Sequence, residues 1–167
     1  IQQSSTDLYS NCSSQMCCNP NNNSKGNQPP RNGNSYVGAY YYLDFTTARE
    51  FIESKLINPL LISESYCVRF HVSLSDICEY ATSNFGIYLS NDSCLSQSII
   101  PPYTPQIQNP YNNVILDKNN WVSIQLEYLA QGGENYITIG GFTSDSSANN
   151  TIVGNSSLAN IAYYYID

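Results

Sequence analysis

The chain has 167 residues, enough for one domain with its own core. Its formal charge is -7 at pH 7, from 6 Lys and Arg against 13 Asp and Glu, so the clustered cations that grip nucleic-acid phosphates are missing. Only 11% of residues are charged while 41% are hydrophobic, 15 Tyr among them, which excludes a wholly disordered chain.

No apolar run nears the roughly 20 residues of a membrane helix, so membrane insertion is not expected. Asn and Ser carry the polarity that charges usually carry, which suits an exported protein, extracellular or at the cell surface. No secretory leader opens the chain, and a secreted protein of this sequence would be in its mature form.

Residues 1 to 35 are crowded with Asn, Ser, Gln and Pro and read as an irregular segment packed on the rest. From residue 36 to 167 the pattern is one of strands. Tyr36 to Phe45 is rich in strand formers. Ala48 to Leu56 has helical propensity, but its place between two strands favours a strand. Asn58 to Ser65 is a turn. Tyr66 to Leu74 then alternates: Tyr66, Val68, Phe70, Val72 and Leu74 point one way, and Cys67, Arg69, His71 and Ser73 the other.

Ser75 to Ser83 has room for a helical turn, and Phe85 to Leu89 is another strand. Ile99 to Pro105 reads as a Pro-rich crossing loop. Val122 to Tyr128 alternates again, Gln131 to Glu134 turns into a strand at Tyr136 to Gly140, and Ala162 to Ile166 closes the chain. Strands of this length with turn chemistry between them indicate one all-β domain, an antiparallel sandwich of jelly-roll type.

Six cysteines, Cys12, Cys17, Cys18, Cys67, Cys78 and Cys94, lack the paired spacing of a zinc site or of a thioredoxin-like redox motif. Disulfides are expected instead, stapling the Asn-rich beginning onto the sandwich. Cys17 and Cys18, being neighbours, should reach different partners. Asn11, Asn22, Asn91, Asn149 and Asn155 each begin an Asn-x-Ser/Thr acceptor for glycosylation.

The hairpin Asn58-Pro-Leu-Leu, then Tyr66-Cys-Val-Arg-Phe-His-Val, resembles one in jelly-roll carbohydrate-binding modules. With Ser5 to Cys12, Arg49 to Ile52, Val72 to Asp76, Glu79 to Ala81, Phe85 to Ser90 and Tyr163 to Asp167, the chain resembles extracellular jelly-roll domains of Bacteroidetes surface proteins. Such domains often stand ahead of OmpA-like or sorting domains. The resemblance implies a structural calcium near the first and last strands, for which Asp167 stands at the matching end. It also implies an opening strand that this sequence lacks, hence a bare sheet edge that a neighbouring copy could fill, making a homopolymer.

Catalytic signatures are missing: His71 is the single histidine, and no Gly-x-Ser-x-Gly or His-Glu-x-x-His occurs. The chain therefore reads as a non-enzyme without a catalytic cofactor. Strand parity puts Tyr40, Tyr42, Arg69, His71, Trp121, Tyr163 and Tyr165 on an outward face, the candidate ligand or interface residues. The functional expectation is a structural or adhesion module of a surface or filament, bound to its own kind or to other surface proteins. The alternative is a lectin-like module that holds glycans on its Tyr and Trp surface.

Overall fold

The computed structural model describes residues 6–15, 17–94, 103–154 and 160–167. Most of the Pro-rich crossing loop and the acceptor Asn155 lie outside the described residues. Within them the protein is all-β, with every strand pair antiparallel. The strands are β1 (Asp7–Ser10), β2 (Ser35–Leu43), β3 (Phe51–Lys55), β4 (Ser65–Leu74), β5 (Tyr80–Thr82) and β6 (Gly86–Ser90). They continue with β7 (Ile107–Gln108), β8 (Val122–Leu129), β9 (Tyr136–Gly140), β10 (Asn150–Ile152) and β11 (Ile161–Ile166).

A front sheet runs β1-β2-β11-β4-β8 and a back sheet β3-β9-β6-β7, while β10 and β5 form a two-stranded ribbon. The alternation in β2, β4 and β8 sets which side chains meet between the sheets. Ala39, Tyr41 and Leu43 of β2, Phe70, Val72 and Leu74 of β4, and Ile124 and Tyr128 of β8 are all buried in one core with Ile87 and Leu89 of the back sheet. The centre is aromatic. Phe85 lies 4.5 Å from Tyr41 and 4.8 Å from Tyr164, ring to ring. The Tyr164 hydroxyl donates to the Ile115 carbonyl at 2.8 Å and accepts from the Thr82 amide at 2.8 Å, tying the ribbon to the front sheet.

Residues 48–56 form a strand, as the flanking pattern requires: β3 pairs with β9 from Phe51↔Gly140 to Lys55↔Tyr136. No helix forms in 75–83; a turn leads there into β5. The irregular beginning also contains more order than its composition suggests. Its β1 pairs with β2 from Asp7↔Gly38 to Ser10↔Ser35 and covers the edge of that strand with this chain's own backbone.

The expected disulfide staple is not what holds this beginning, since all six cysteines are free. Their positions explain this. Cys67 is exposed on β4, Cys78 is buried against the backbone of Tyr163, and Cys94 sits beside Ser90 at the end of β6. Polar contacts and ring packing replace the staple. The Asp167 carboxylate accepts the amides of Arg31 at 2.8 Å and Asn32 at 3.1 Å. The Asp76 carboxylate accepts the amide of Asn27 at 2.9 Å, and the indole of Trp121 donates to the Pro29 carbonyl at 2.9 Å. Ser75 donates to the Lys25 carbonyl. Gly26, at φ 138°, passes so close to Asp76 that a Cβ would stand 2.5 Å from its Oδ2. The first 34 residues thus lie as a strap across the front sheet.

The hairpin from β8 to β9 is held by one carboxylate. Glu134 is buried and accepts the Tyr128 hydroxyl at 2.7 Å and the amides of Gln131 and Gly132 at 2.8 Å each. Burial by itself pushes its pKa up, but these hydrogen bonds outweigh burial and hold it below the ordinary glutamate value. A carboxyl depressed in the folded state stabilises the fold above its unfolded pKa, and loses that contribution as pH falls through the folded one. Unfolding free energy should therefore drop as pH falls below the usual carboxylate range, and urea titrations of Glu134→Gln should show a shallower acid slope.

Candidate functional site

The outward face that strand parity selects does exist, and it gathers several of the expected residues. Tyr40 and Tyr42 of β2, Tyr163 and Tyr165 of β11, and Arg69 and His71 of β4 all lie on the side of the front sheet away from the core. Tyr163 and Tyr165, however, are not exposed: their fractional exposures are 0% and 1%. The strap covers them. Tyr9 of β1 packs with Tyr36 and Tyr165 at centroid distances of 5.1 and 5.4 Å, and Trp121 meets Tyr36 edge-on at 5.4 Å. The face is a second, outer aromatic core.

At its centre the Tyr163 hydroxyl donates to Asp7 at 2.7 Å and bonds the Tyr9 hydroxyl at 3.0 Å. Burial, with these partners, pushes the Tyr163 phenol far above its ordinary value, so it stays protonated and donating. The ring occupies the space over Gly38, where a Cβ would stand 2.1 Å from its oxygen. Lys25 of the strap reaches in from above, its ammonium 4.7 Å from the Tyr40 ring centroid and 5.2 Å from that of Tyr163, and it donates to the Tyr40 hydroxyl.

The other expected residues lie around this core. Tyr42 is half-buried against Tyr80, with its hydroxyl on Asp44. Arg69 is exposed and donates to Gln125 at 2.8 Å. His71 is half-buried; burial first, then the nearby Arg31 and Arg69 cations, lower its pKa despite Asp167, so the ring is neutral at neutral pH. The Oδ2 of Asp167, the calcium candidate, is already taken by two strap amides, and no group of three His, Cys, Asp or Glu suited to a metal occurs among the described residues. The acceptors Asn11, Asn22 and Asn91 are exposed, while the Asn149 side chain donates to the Tyr111 carbonyl at 3.2 Å.

The open site lies elsewhere. A cleft of about 200 Å³ is lined by Ser83, Asn84, Gln108, Asn109, Tyr111 and Thr143, with Ser147 and Ala148 on its rim. Two buried asparagines build its floor. The side chain of Asn84 donates to the Thr143 carbonyl at 2.7 Å and accepts the Thr143 amide at 3.1 Å, a rung that imitates strand pairing. Asn109 donates to the carbonyls of Ser83 and Asn113 at 2.9 and 2.8 Å. With its floor fixed, the cleft presents the Gln108 amide, whose Nε2 donates to the Thr143 hydroxyl at 2.8 Å, and the Tyr111 ring at 61% exposure. No lining residue is charged.

No family model, curated protein or solved structure matches this chain. The cleft is composed of three loop segments far apart in sequence. The local signal for it was Tyr111 itself, an aromatic inside the turn-forming run Asn109-Pro-Tyr-Asn-Asn113.

The outer aromatic core gives a stability test. Gly38→Ala forces Tyr163 off its site and should cost about 1–3 kcal/mol in urea unfolding. Tyr163→Phe strips the donor from Asp7 and should cost about 1–2 kcal/mol. A Gly38→Ala protein as stable as the native one would show that the ring does not depend on that gap.

Proposed function

We propose that the protein is a non-catalytic extracellular adhesion module of jelly-roll type that binds neutral glycans in the cleft beside Tyr111. The strand order supports the jelly-roll reading. With β1 and the β5–β10 ribbon set aside, the sheets are β2-β11-β4-β8 and β3-β9-β6-β7. Successive strands from β2 to β9 alternate between these sheets except at the β6–β7 pair, and β11 returns to the front sheet beside β2, the double Greek-key path of that fold.

The observation that carries the binding reading is the lining of the cleft: amides and hydroxyls at fixed positions, one exposed aromatic ring, and no charge. Sugar hydroxyls need neutral donors and acceptors, and the apolar face of a pyranose needs a ring to lie on. Acid–base catalysis is disfavoured by what the carboxylates do. Glu53 accepts from Ser93 and the Cys94 amide, Asp117 from the amides of Asn119 and Asn120, and Glu134 and Asp167 hold turns, so each has a structural occupation.

This shifts the glycan platform from the Tyr and Trp face, which the strap occupies, to the cleft. Saturable binding is expected on an array of neutral oligosaccharides. Tyr111→Ala and Gln108→Ala should each weaken it at least about tenfold, roughly 1.4 kcal/mol, with the unfolding midpoint unchanged. Trp121→Ala should leave affinity as it was. Affinity that survives Tyr111→Ala, or no binding at all, would sink the reading.

One observation favours self-assembly as a second reading. The eight residues of β8 form an outer edge of the front sheet, with Gln125, Glu127 and Leu129 exposed along it. Light scattering after size exclusion should then give a mass that rises with concentration; a constant monomer mass discards the polymer.

A further inference from the structure

We propose that Cys17 and Cys18 form a redox-active vicinal dithiol, able to close a disulfide between adjacent residues. Their sulphurs stand 2.7 Å apart, closer than two thiols rest without interacting and not far from the roughly 2.05 Å of a bond. Each sulphur has the other as its nearest sulphur partner, contrary to the expectation that neighbours would seek separate ones. Cys17 is exposed and Cys18 half-buried, so a small oxidant can reach the pair.

The turn that holds them is itself fixed. The Cys18 amide donates to the Gln15 carbonyl at 3.1 Å, the Ser10 amide to the Cys18 carbonyl at 2.9 Å, and the Cys17 thiol points to Gln15 Oε1 at 3.5 Å. The remaining thiols are placed apart from this turn: Cys78 is buried on the Tyr163 backbone, and Cys94 bonds Ser90 at the back sheet.

With a low-molecular-weight disulfide as oxidant, the chemistry balances. The Cys17 thiolate attacks one sulphur of the oxidant and releases one thiol. The Cys18 thiolate then displaces the second thiol and closes the ring. The oxidant's S–S bond breaks and the protein's forms; two cysteine sulphurs are oxidised, and both thiol protons leave on the two released molecules. Adjacent Cα atoms are about 3.8 Å apart across a trans peptide, below the separation ordinary disulfides span. The ring is therefore strained and easily reopened, which suits a switch and not a staple.

The test is oxidation of the reduced, purified chain with oxidised glutathione, followed by alkylation, digestion and mass spectrometry. The peptide carrying both residues should be lighter by two hydrogens, about 2 Da, and unalkylated, and mild reduction should restore both thiols. In Cys17→Ser, Cys18 should carry a single glutathione adduct. Full alkylation of both thiols after oxidation, or a crosslink from either to Cys12 or any other cysteine, overturns the proposal.

Discussion

The fold depends on keeping two aromatic layers dry, one on each side of the front sheet. The inner layer is the ordinary core between two sheets. The outer one exists because β11 places Tyr163 and Tyr165 on the side away from that core, beside Tyr36, Gly38 and Tyr40 of β2. Rings of this size left in water would forfeit about 1.5–3 kcal/mol each, so the chain must bring its own cover. The strap is that cover. Its polar composition is suited to the task, because it contributes few apolar groups and many that cap, turn and hydrogen-bond.

The same economy of charge runs through the molecule. Asparagine amides stand where other proteins use strand backbone or ion pairs: Asn84 imitates a rung with Thr143, and Asn109 closes the loop to Asn113. One charged pair is fully committed. Arg49, whose side chain is entirely buried, is bound to Asp145 and to the Ala48 carbonyl, and it anchors the loop that carries Ser147 and Ala148. A buried guanidinium without its carboxylate would be costly, so this loop is held against the body of the sandwich. The neutral cleft and the rigid loops around it thus follow from one compositional habit.

Much of the architecture was legible in the residues because period-two alternation is a local signal. The strands β2, β4, β6, β8, β9 and β11 each carry it over five residues or more, and β3 follows from its neighbours. The strands β1, β5, β7 and β10 were not legible. They have two to four residues, too short to show a period, and they are strands only because a partner lies alongside. The cleft was hidden for a similar reason: residues 83–84, 108–111 and 143–148 meet only through the crossings between sheets.

Sequence alone determined an all-β chain, the parity of its longer strands, and the absence of familiar catalytic signatures, since each is written in neighbouring residues. Only the tertiary structure decided which outward face is wet. Parity says which side of a sheet a tyrosine takes; whether water or the chain's own first residues stand above it depends on contacts such as Tyr9 with Tyr163, 154 positions apart. The cysteines teach the same lesson. Their even number suggested crosslinks, but separation in space leaves only Cys17 and Cys18 close enough to join, because a covalent bond needs proximity that counting cannot supply.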